Sequence, residues 1–312
     1  MPVLRFIAAA ALGLVLTAAS AVRADEASAR RTSPAPLLWQ VSDADSTVYL
    51  LGSFHLLKPD DYPLPREVEA AFVDAERLVF EISPEELARP DVAQQTLAAA
   101  RYADGSTLSA VLPGPLREKF EALLAERGAT LAQYDGFEPW FVNLTLVMGL
   151  SNTLGFSAEH GLDQHLMRKA ATAGKPALGL ETVSAQMQAL DSTPLDEQLA
   201  ALEDFVDDPD GTRALLTRLH DAWRRGDADE LDRLTRSEMQ RETPETYRIV
   251  NVERNRAWMP AIRAQLADPR DDVLVVVGAM HLLGDDGLVE QLRAQGLRVE
   301  RVCETCNSVR GR

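Results

Sequence analysis

Two histidines in this chain follow the same short pattern. The segments LLGSFHLL and VLVVVGAMHLL each carry an apolar run that ends on a glycine, with Gly52 three positions before His55 and Gly278 three positions before His281. A glycine at a strand end permits a sharp turn or the close approach of another group. If the two strands are neighbours in an α/β sheet, both histidines face one pocket at the carboxyl ends of the strands.

Two imidazoles and a carboxylate can support two kinds of chemistry. Such a set can bind zinc, manganese, iron or cobalt, or it can act as a general acid-base set without a metal. Glu81, in LVFEIS, is the leading carboxylate because it lies in an otherwise apolar segment, where an unpartnered charge is costly. Glu181 ends the short segment PALGLE in the same way, and we expect it to contact substrate.

Arg254 and Asn255 lie together in NVERNRAW, a predicted helix. An arginine and an amide beside a pocket can bind a substrate carbonyl or a developing oxyanion. Adjacent positions point to different faces of a helix, so two surface residues are the alternative. The other candidates have plain alternatives too: Glu81 can cap a turn, and Glu181 can pair with Lys175.

The elements that must position these residues lie at both ends of the chain. LLWQVSD and DSTVYLLGSF predict a hairpin, and the following helix REVEAAFVDA with the strand LVFEI predicts a crossover connection. Near the other end, VLVVV is typical of a strand buried on both faces, and a helix and the strand LRVERV follow. We therefore predict an α/β (α+β) fold whose central mixed sheet is built from N- and C-terminal segments.

The middle of the chain has a different pattern. From residue 85 to about 265, apolar residues recur at spacings of three and four, interrupted by the one short strand PALGLE. This predicts a large, mostly helical insertion, which we expect to determine the choice of substrate. No repeat of 20 to 50 residues is present, which excludes solenoids and propellers.

The N-terminal residues are typical of an exported protein. Residues 1–24 contain a basic residue, the apolar run FIAAAALGLVLTAA and small residues, which predict a cleaved signal peptide. The run is shorter than the roughly 20 residues that span a bilayer, so we expect no membrane span after its removal. We predict a polar leader at 25–36, one domain at 37–303 and a tail at 304–312, in a periplasmic or secreted protein.

Charge and cysteine content narrow the partners. The chain carries 48 acidic and 32 basic residues, a net charge of -16, and no basic cluster, which argues against a nucleic-acid partner. The two cysteines, Cys303 and Cys306, lie in the tail segment CETCNS. No further zinc ligands lie at comparable spacing, so in an exported protein the pair favours a small disulfide.

Five segments together resemble the TraB/GumN family, which is related to the Tiki metalloproteases and to the erythromycin esterase-like superfamily. They are LWQVSDADSTVYLLGSFHLL, LVFEIS, GLDQHLMRKAATAGKPALGLET, ERNRAW and VVVGAMHLLGDDGLVEQLRAQGLRV. The resemblance extends from about Leu37 to Val302. It implies that the paired Gly-x-x-His motifs, Glu81 and the pair Arg254 and Asn255 form the site. Tiki relatives are divalent-metal-dependent proteases, whereas the esterases use a similar His-Glu-His set without requiring a metal, and a haem-binding iron-uptake protein belongs to the wider superfamily.

These observations lead to one function and two alternatives. We expect an exported hydrolase, in the first place a divalent-metal-dependent peptidase in which His55, His281 and Glu81 hold manganese, cobalt or zinc. Arg254 and Asn255 would then steady the oxyanion or orient a peptide or small-molecule substrate. The alternatives are a metal-independent ester or amide hydrolase that uses the same side chains, and a non-catalytic haem- or small-ligand-binding protein.

Overall fold

The computed structural model describes residues 33–43, 46–266 and 271–303. The predicted signal peptide and the predicted tail lie outside the described residues, and so does most of the predicted leader. Cys303 is disulfide-bonded, whereas Cys306 is not among the described residues. No helix in the described ranges combines the length and apolar character that a bilayer span requires.

Six strands form one mixed sheet in the order β4-β3-β5-β2-β1-β6. Their bounds are β1 Leu38–Ser42, β2 Thr47–Ser53, β3 Arg77–Ile82, β4 Ala177–Glu181, β5 Val273–Gly278 and β6 Arg298–Arg301. The four strands β2, β5, β3 and β4 run parallel, and β1 pairs antiparallel with both β2 and β6. The predicted fold class is confirmed, because strands from both ends of the chain make one mixed sheet.

The register of the central strands determines where the two histidines lie. In the parallel pairing of β2 with β5, Gly52 is opposite Val277 and Ser53 is opposite Gly278. Both strands therefore end at the same level of the sheet, and the segments that follow them emerge side by side. Strand β5 lies between β2 and β3 and is buried along most of its length, as its run of β-branched residues predicts.

The described ranges contain fifteen α-helices, thirteen of them between β3 and β5. The helices are α1 Arg66–Asp74, α2 Pro84–Leu87, α3 Val92–Ala99, α4 Leu108–Val111, α5 Gly114–Glu126, α6 Pro139–Thr153, α7 Leu162–Ala173, α8 Val183–Asp191, α9 Leu195–Asp207, α10 Pro209–Arg225, α11 Ala228–Leu234, α12 Arg236–Glu242, α13 Pro244–Tyr247, α14 Arg254–Leu266 and α15 Leu288–Ala294. The predicted helical middle is thus confirmed, with β4 as the strand that interrupts it.

Three apolar clusters hold the domain together. The largest contains the sheet and the helices packed on it, among them α14 through the buried side chains of Trp258, Met259 and Ile262. A second cluster joins helices of the middle block to each other, with Phe120 and Phe205 at its centre. Because α14 is anchored to the sheet by its apolar face, its first residues are held near the carboxyl ends of the parallel strands.

Candidate active site

His55, Glu81 and His281 converge at the carboxyl ends of β2, β3 and β5. Oε1 of Glu81 lies 3.9 Å from Nε2 of His55 and 3.9 Å from Nε2 of His281. The side chains of Glu81 and His281 are buried, and that of His55 is 16% exposed. The structure therefore brings together the three residues that the sequence analysis placed at one site.

The two motif glycines permit close approach rather than an unusual backbone conformation. Gly278 has a φ of -51°, and its N–H donates to Oε1 of Glu81 at 2.7 Å. A Cβ atom at this position would lie 3.1 Å from Nε2 of His55 and 3.3 Å from Oε1 of Glu81. A Cβ at Gly52 would lie 3.2 Å from Ala279. Of the two reasons expected for these glycines, the structure supports close packing.

Arg254 links the two carboxylates of the site. Its Nη2 donates to Oε2 of Glu81 and to Oε1 of Glu181, both at 2.7 Å. Its Nη1 donates to the carbonyl of Val250 at 3.0 Å and lies 3.2 Å from Nε2 of His281. Val250 belongs to the π-helical turn Arg248–Glu253 that leads into α14. The guanidinium is buried and compensates the charge of the two carboxylates.

Both the oxygen and the nitrogen of the Asn255 side-chain amide contact His281. Nδ1 of His281 lies 2.7 Å from Oδ1 of Asn255, and Nδ2 of Asn255 donates to the carbonyls of His281 and Asp286. Because the Asn255 oxygen can only accept, His281 carries its proton on Nδ1 and presents a lone pair at Nε2. In the structure Asn255 positions His281, and the predicted role of Asn255 in steadying an oxyanion or orienting substrate stays a prediction.

The carboxylate of Glu181 also accepts its hydrogen bonds from other residues of the protein. Its carboxylate accepts hydrogen bonds from Arg254, from Nε1 of Trp258 at 3.0 Å and from Nε2 of Gln186 at 3.2 Å. The side chain is only 8% exposed. The pairing with Lys175 that the sequence left open is not formed, because Nζ of Lys175 donates to main-chain carbonyls. In this structure Glu181 holds Arg254, and a substrate contact by Glu181 stays a prediction.

Asp163 is a member of the site that the sequence analysis missed. Its Oδ2 lies 2.6 Å from Nδ1 of His55 and accepts a hydrogen bond from Oγ of Ser53 at 2.5 Å. The segment that carries it packs tightly on the histidine loop, since a Cβ at Gly161 would lie 2.2 Å from the carbonyl oxygen of His55. The available signal was GLDQH, where a glycine and an aspartate open a helix, but nothing in that segment indicates His55 as the partner.

Comparison with known proteins identifies the family of the chain. The sequence model of the TraB/PrgY/gumN family matches residues 37–301. The chain belongs to this family.

Two curated relatives share the same region of the family domain. The chain is 25% identical over 245 residues to the uncharacterized protein YbaP of Escherichia coli (strain K12), covering 78% of this chain and 87% of the relative. The same values hold for YbaP of Shigella flexneri. No solved structure matches the chain significantly. The comparisons therefore establish the family and leave the reaction to be inferred from the site.

The buried charges give the two family histidines opposite character. Burial alone would lower the pKa of His55, but the carboxylate of Asp163 outweighs it and the pKa is raised to about 8. Burial, together with the charge of Arg254, lowers the pKa of His281 to about 3. Near neutral pH, His281 is therefore a neutral imidazole, and His55 can both hold and release a proton.

The pKa values of the two glutamates are likewise shifted in opposite directions. Burial would raise the pKa of Glu81, but the charge of Arg254 and the neighbouring histidines lower it to about 2. Burial raises the pKa of Glu181, although Arg254 opposes this shift. Glu81 is therefore a carboxylate at every physiological pH, with its Oε1 3.9 Å from Nε2 of each histidine.

The distances between these side chains can be compared with those of the metal site predicted from the sequence. Two imidazoles and a carboxylate are suitable donors, but a tetrahedral zinc ion with bonds of about 2.0–2.1 Å places its ligands roughly 3.4 Å apart, closer than the 3.9 Å between Glu81 and each histidine. The lone pair of His281 Nε2 also faces the Arg254 guanidinium. Among the described residues, no group of three His, Cys, Asp or Glu side chains is arranged to hold a metal. The donors therefore lie about half an ångström farther apart than in a tetrahedral zinc site, and a bound metal ion stays a prediction.

Proposed function

We propose that this family member is a hydrolase that adds water to the carbonyl carbon of an ester or amide, with His55 as the general base. One observation carries the proposal: His55 is bound through Nδ1 to the carboxylate of Asp163, while its Nε2 faces Glu81 across a gap of 3.9 Å. A histidine held by a carboxylate on one nitrogen and open on the other is the usual arrangement of a general base.

The gap between the side chains suits a water molecule. A distance of 3.9 Å is too long for a direct hydrogen bond, and a single water oxygen can contact both atoms that it separates. Nε2 of His55 would take one proton of that water as the water oxygen bonds to the carbonyl carbon. His55 would then return this proton to the leaving oxygen or nitrogen as the carbonyl is restored, so that protons balance over the cycle.

Arg254 would act through its charge. Its N–H groups are directed at Glu81, Glu181 and the carbonyl of Val250, so it is held rigidly beside the water position. By compensating the charges of Glu81 and Glu181, this fixed guanidinium would limit their repulsion of the negative charge that develops on a carbonyl oxygen during attack. Asn255 and Glu181 would be positioning residues, the first for His281 and the second for Arg254.

A metal-dependent peptidase is the second candidate. It is favoured by the convergence of two imidazole Nε2 atoms on one carboxylate oxygen, which places suitable donor types around one point. For an ion to bind there, Arg254 would have to give up its contact with His281 and the three donors would have to close by about half an ångström.

The test compares activity with and without metal on one purified preparation. The mature protein is treated with a chelator and assayed on p-nitrophenyl esters and p-nitroanilides, alone and after addition of zinc, manganese or cobalt. We expect activity without metal and a loss of at least roughly 100-fold in His55→Ala. The matched control is His160→Ala, a histidine of the turn Ala158–His160 whose main-chain carbonyl, not its ring, accepts a hydrogen bond from Tyr62.

The alternatives give different results in the same assay. Activity that disappears with chelator and returns with one ion supports the peptidase with a metal. No activity under any condition, combined with a visible absorbance band after incubation with haem, supports the binding protein. The predicted export is tested separately, by fractionating cells that produce the full chain and determining the N-terminal residue of the mature protein.

A further inference from the structure

Two cavities share the His55–Glu81 pair in their linings. The larger, of about 1050 Å³ including its open mouth, is bounded by helices α10, α11 and α12. The smaller, of about 610 Å³, lies towards α6, α7 and α8. His55 and Glu81 line both. A bond placed at this pair therefore has separate space on each side for the two parts of a substrate.

The larger cavity is apolar apart from its catalytic end. The site residues supply most of its polar side chains, and within the described residues the others are Ser53, whose Oγ donates to Asp163, and Ser151 and Thr235. Oγ of Ser151 donates to the carbonyl of Val147 at 2.8 Å, and Oγ1 of Thr235 donates to the carbonyl of Leu231 at 2.7 Å. Both hydroxyls therefore satisfy their own helices and leave little for a polar ligand to bind.

The rest of this wall consists of large aliphatic and aromatic side chains. Prominent among them are Phe156, Leu216, Leu219, Leu231, Leu234 and Met239. Among the described residues, the wall carries no charged side chain beyond those of the catalytic end. Placing a polar or charged group there would remove it from water without compensation, whereas each buried CH₂ group would contribute favourably.

The smaller cavity, unlike the larger, has a polar side chain that could bind the hydrogen-bond donor of a ligand. Gln186 is buried and lines it, and Nε2 of Gln186 donates to Glu81 and Glu181. Its Oε1 is buried without a hydrogen-bond partner in the described part of the chain. A buried amide oxygen without a partner costs free energy, and an N–H or O–H group of a ligand would remove that cost if the Gln186 side chain rotated to meet it. The lining also includes Gln164 and Asp163.

We infer that the substrate carries an apolar group on the acyl side of its scissile bond, bound in the larger cavity, and a leaving group with a hydrogen-bond donor, bound in the smaller. The inference rests on the proposed hydrolase function and specifies its substrate class. An acyl chain of a lipid-like ester and an apolar amino-acid side chain both present this chemistry, and the experiment separates them.

The first measurement uses two substrate series on the mature wild-type protein. In p-nitrophenyl esters from acetate to decanoate, kcat/KM should rise about 3- to 4-fold per added CH₂ group until the cavity is filled. In aminoacyl p-nitroanilides, leucine and phenylalanine should be preferred over alanine if the apolar group is a side chain. A flat response in both series would overturn the inference.

Substitutions in each cavity then show where the two parts of the substrate bind. Leu216→Phe and Leu234→Phe reduce the larger cavity and should shorten the best acyl chain, with kcat/KM falling more for the decanoate ester than for the acetate ester. Leu144→Phe reduces the smaller cavity and should change the ratio of activity on the p-nitroanilides to activity on the p-nitrophenyl esters. The acyl chain length that gives the highest kcat/KM should stay the same. The matched control, Leu178→Phe, lies on the exposed edge strand β4 and should change neither. If Leu144→Phe moves the acyl optimum instead, the two cavities have been assigned the wrong way round.

Binding without hydrolysis distinguishes this inference from the proposed function. Methyl ketones from butanone to decanone cannot be hydrolysed, and calorimetry measures their affinity directly. Affinity that grows about 3- to 4-fold per CH₂ group, in a protein that hydrolyses no ester, would refute the function and keep the apolar site. Hydrolysis with affinity independent of chain length would refute the apolar site and keep the function.

Discussion

Nδ1 of His55 and Oδ2 of Asp163 lie 2.6 Å apart although 108 positions separate the two residues. His55 follows a strand of the sheet, and Asp163 lies in the first turn of α7, within the helical insertion. The insertion therefore supplies the carboxylate that orients His55, in addition to the walls of both cavities. Catalytic competence in this family member should depend on how the insertion docks onto the sheet.

Asp163→Asn should weaken the proposed general base. The amide keeps the shape of the side chain but loses its charge, so the raised pKa of His55, about 8, should fall towards the ordinary value near 6.5. We expect the pH midpoint of kcat/KM to fall with it, and the plateau activity to drop by roughly 10-fold or more. Both are read from a pH–rate profile between pH 5 and 10.

Asp208→Asn is the control for this change. It removes a carboxylate from the N-terminus of α10, where Oδ1 of Asp208 accepts from the N–H of Gly211. It should cost some helix stability and leave the pH midpoint where it is. An unchanged midpoint in Asp163→Asn would show that the aspartate does not control the protonation of His55.

The sequence predicts the sheet and most of the side chains that meet at the site. The apolar run before His281 and the hairpin before His55 determine strands that a buried α/β sheet must place at its centre, and Glu81 stands out as a charge in an apolar strand. These signals are local, because neighbouring residues determine whether a segment forms a strand and whether that strand is buried.

The partners of the site residues were harder to predict. Asp163 and Gln186 occupy ordinary helical positions, and only the packing of α7 and α8 against the strand ends brings them to His55 and Glu81. Helix docking depends on contacts between residues far apart in the chain, which periodicity in one segment does not specify. For the same reason, the use of Asn255 to hold His281 became visible only in the structure.

Arg254→Ala should strongly destabilise the fold. The change leaves the carboxylates of Glu81 and Glu181 buried beside each other without their shared counter-charge. Removing one partner of a buried ion pair typically costs about 3–5 kcal/mol of unfolding free energy. We expect a loss of this size in urea unfolding, with hydrolysis also abolished.

A second substitution tests whether the uncompensated charge is the cause. Glu181→Gln added to Arg254→Ala removes one of the two carboxylate charges and should restore part of the lost stability without restoring activity. Arg248→Ala is the matched control, since that guanidinium is exposed and pairs with Glu245 and Glu253 at the surface. Equal losses in Arg254→Ala and Arg248→Ala would contradict the central role given to Arg254.

Gly278→Ala should impair activity far more than stability. The new Cβ would approach Nε2 of His55 to 3.1 Å and Oε1 of Glu81 to 3.3 Å, so both side chains must move by a few tenths of an ångström. A displacement of this kind separates the base from its water position. The control Gly149→Ala adds a Cβ where nothing lies within 4 Å, in the interior of α6. It should raise the unfolding free energy by about 0.5–1 kcal/mol and leave kcat/KM unchanged, whereas equal activity in both variants would contradict the tight packing at the motif.

The two histidines should contribute opposite slopes to the pH dependence of the stability of the metal-free protein, one on each side of pH 6.5. The pKa of His281 is lowered to about 3, so between pH 6.5 and 3 the unfolded chain binds a proton that the folded protein excludes, and stability falls as the pH falls. The pKa of His55 is raised to about 8, so its contribution is complete below pH 6.5 and is lost as the pH rises through 8. Glu81, with its pKa lowered to about 2, contributes fully above pH 4.5 and loses its contribution only in stronger acid.

Urea unfolding between pH 4 and 9 measures these slopes, and variants assign them. One proton contributes at most about 1.4 kcal/mol per pH unit. His281→Gln should flatten the acid limb, because glutamine does not titrate, and His55→Gln should flatten the alkaline limb. Each variant should leave the opposite limb intact, since the two shifts arise chiefly from different surroundings: burial and Arg254 for His281, and Asp163 for His55. If His281→Gln leaves the acid limb unchanged, His281 is not held neutral by its burial, and the assignment of His55 as the base loses its contrast with the second histidine.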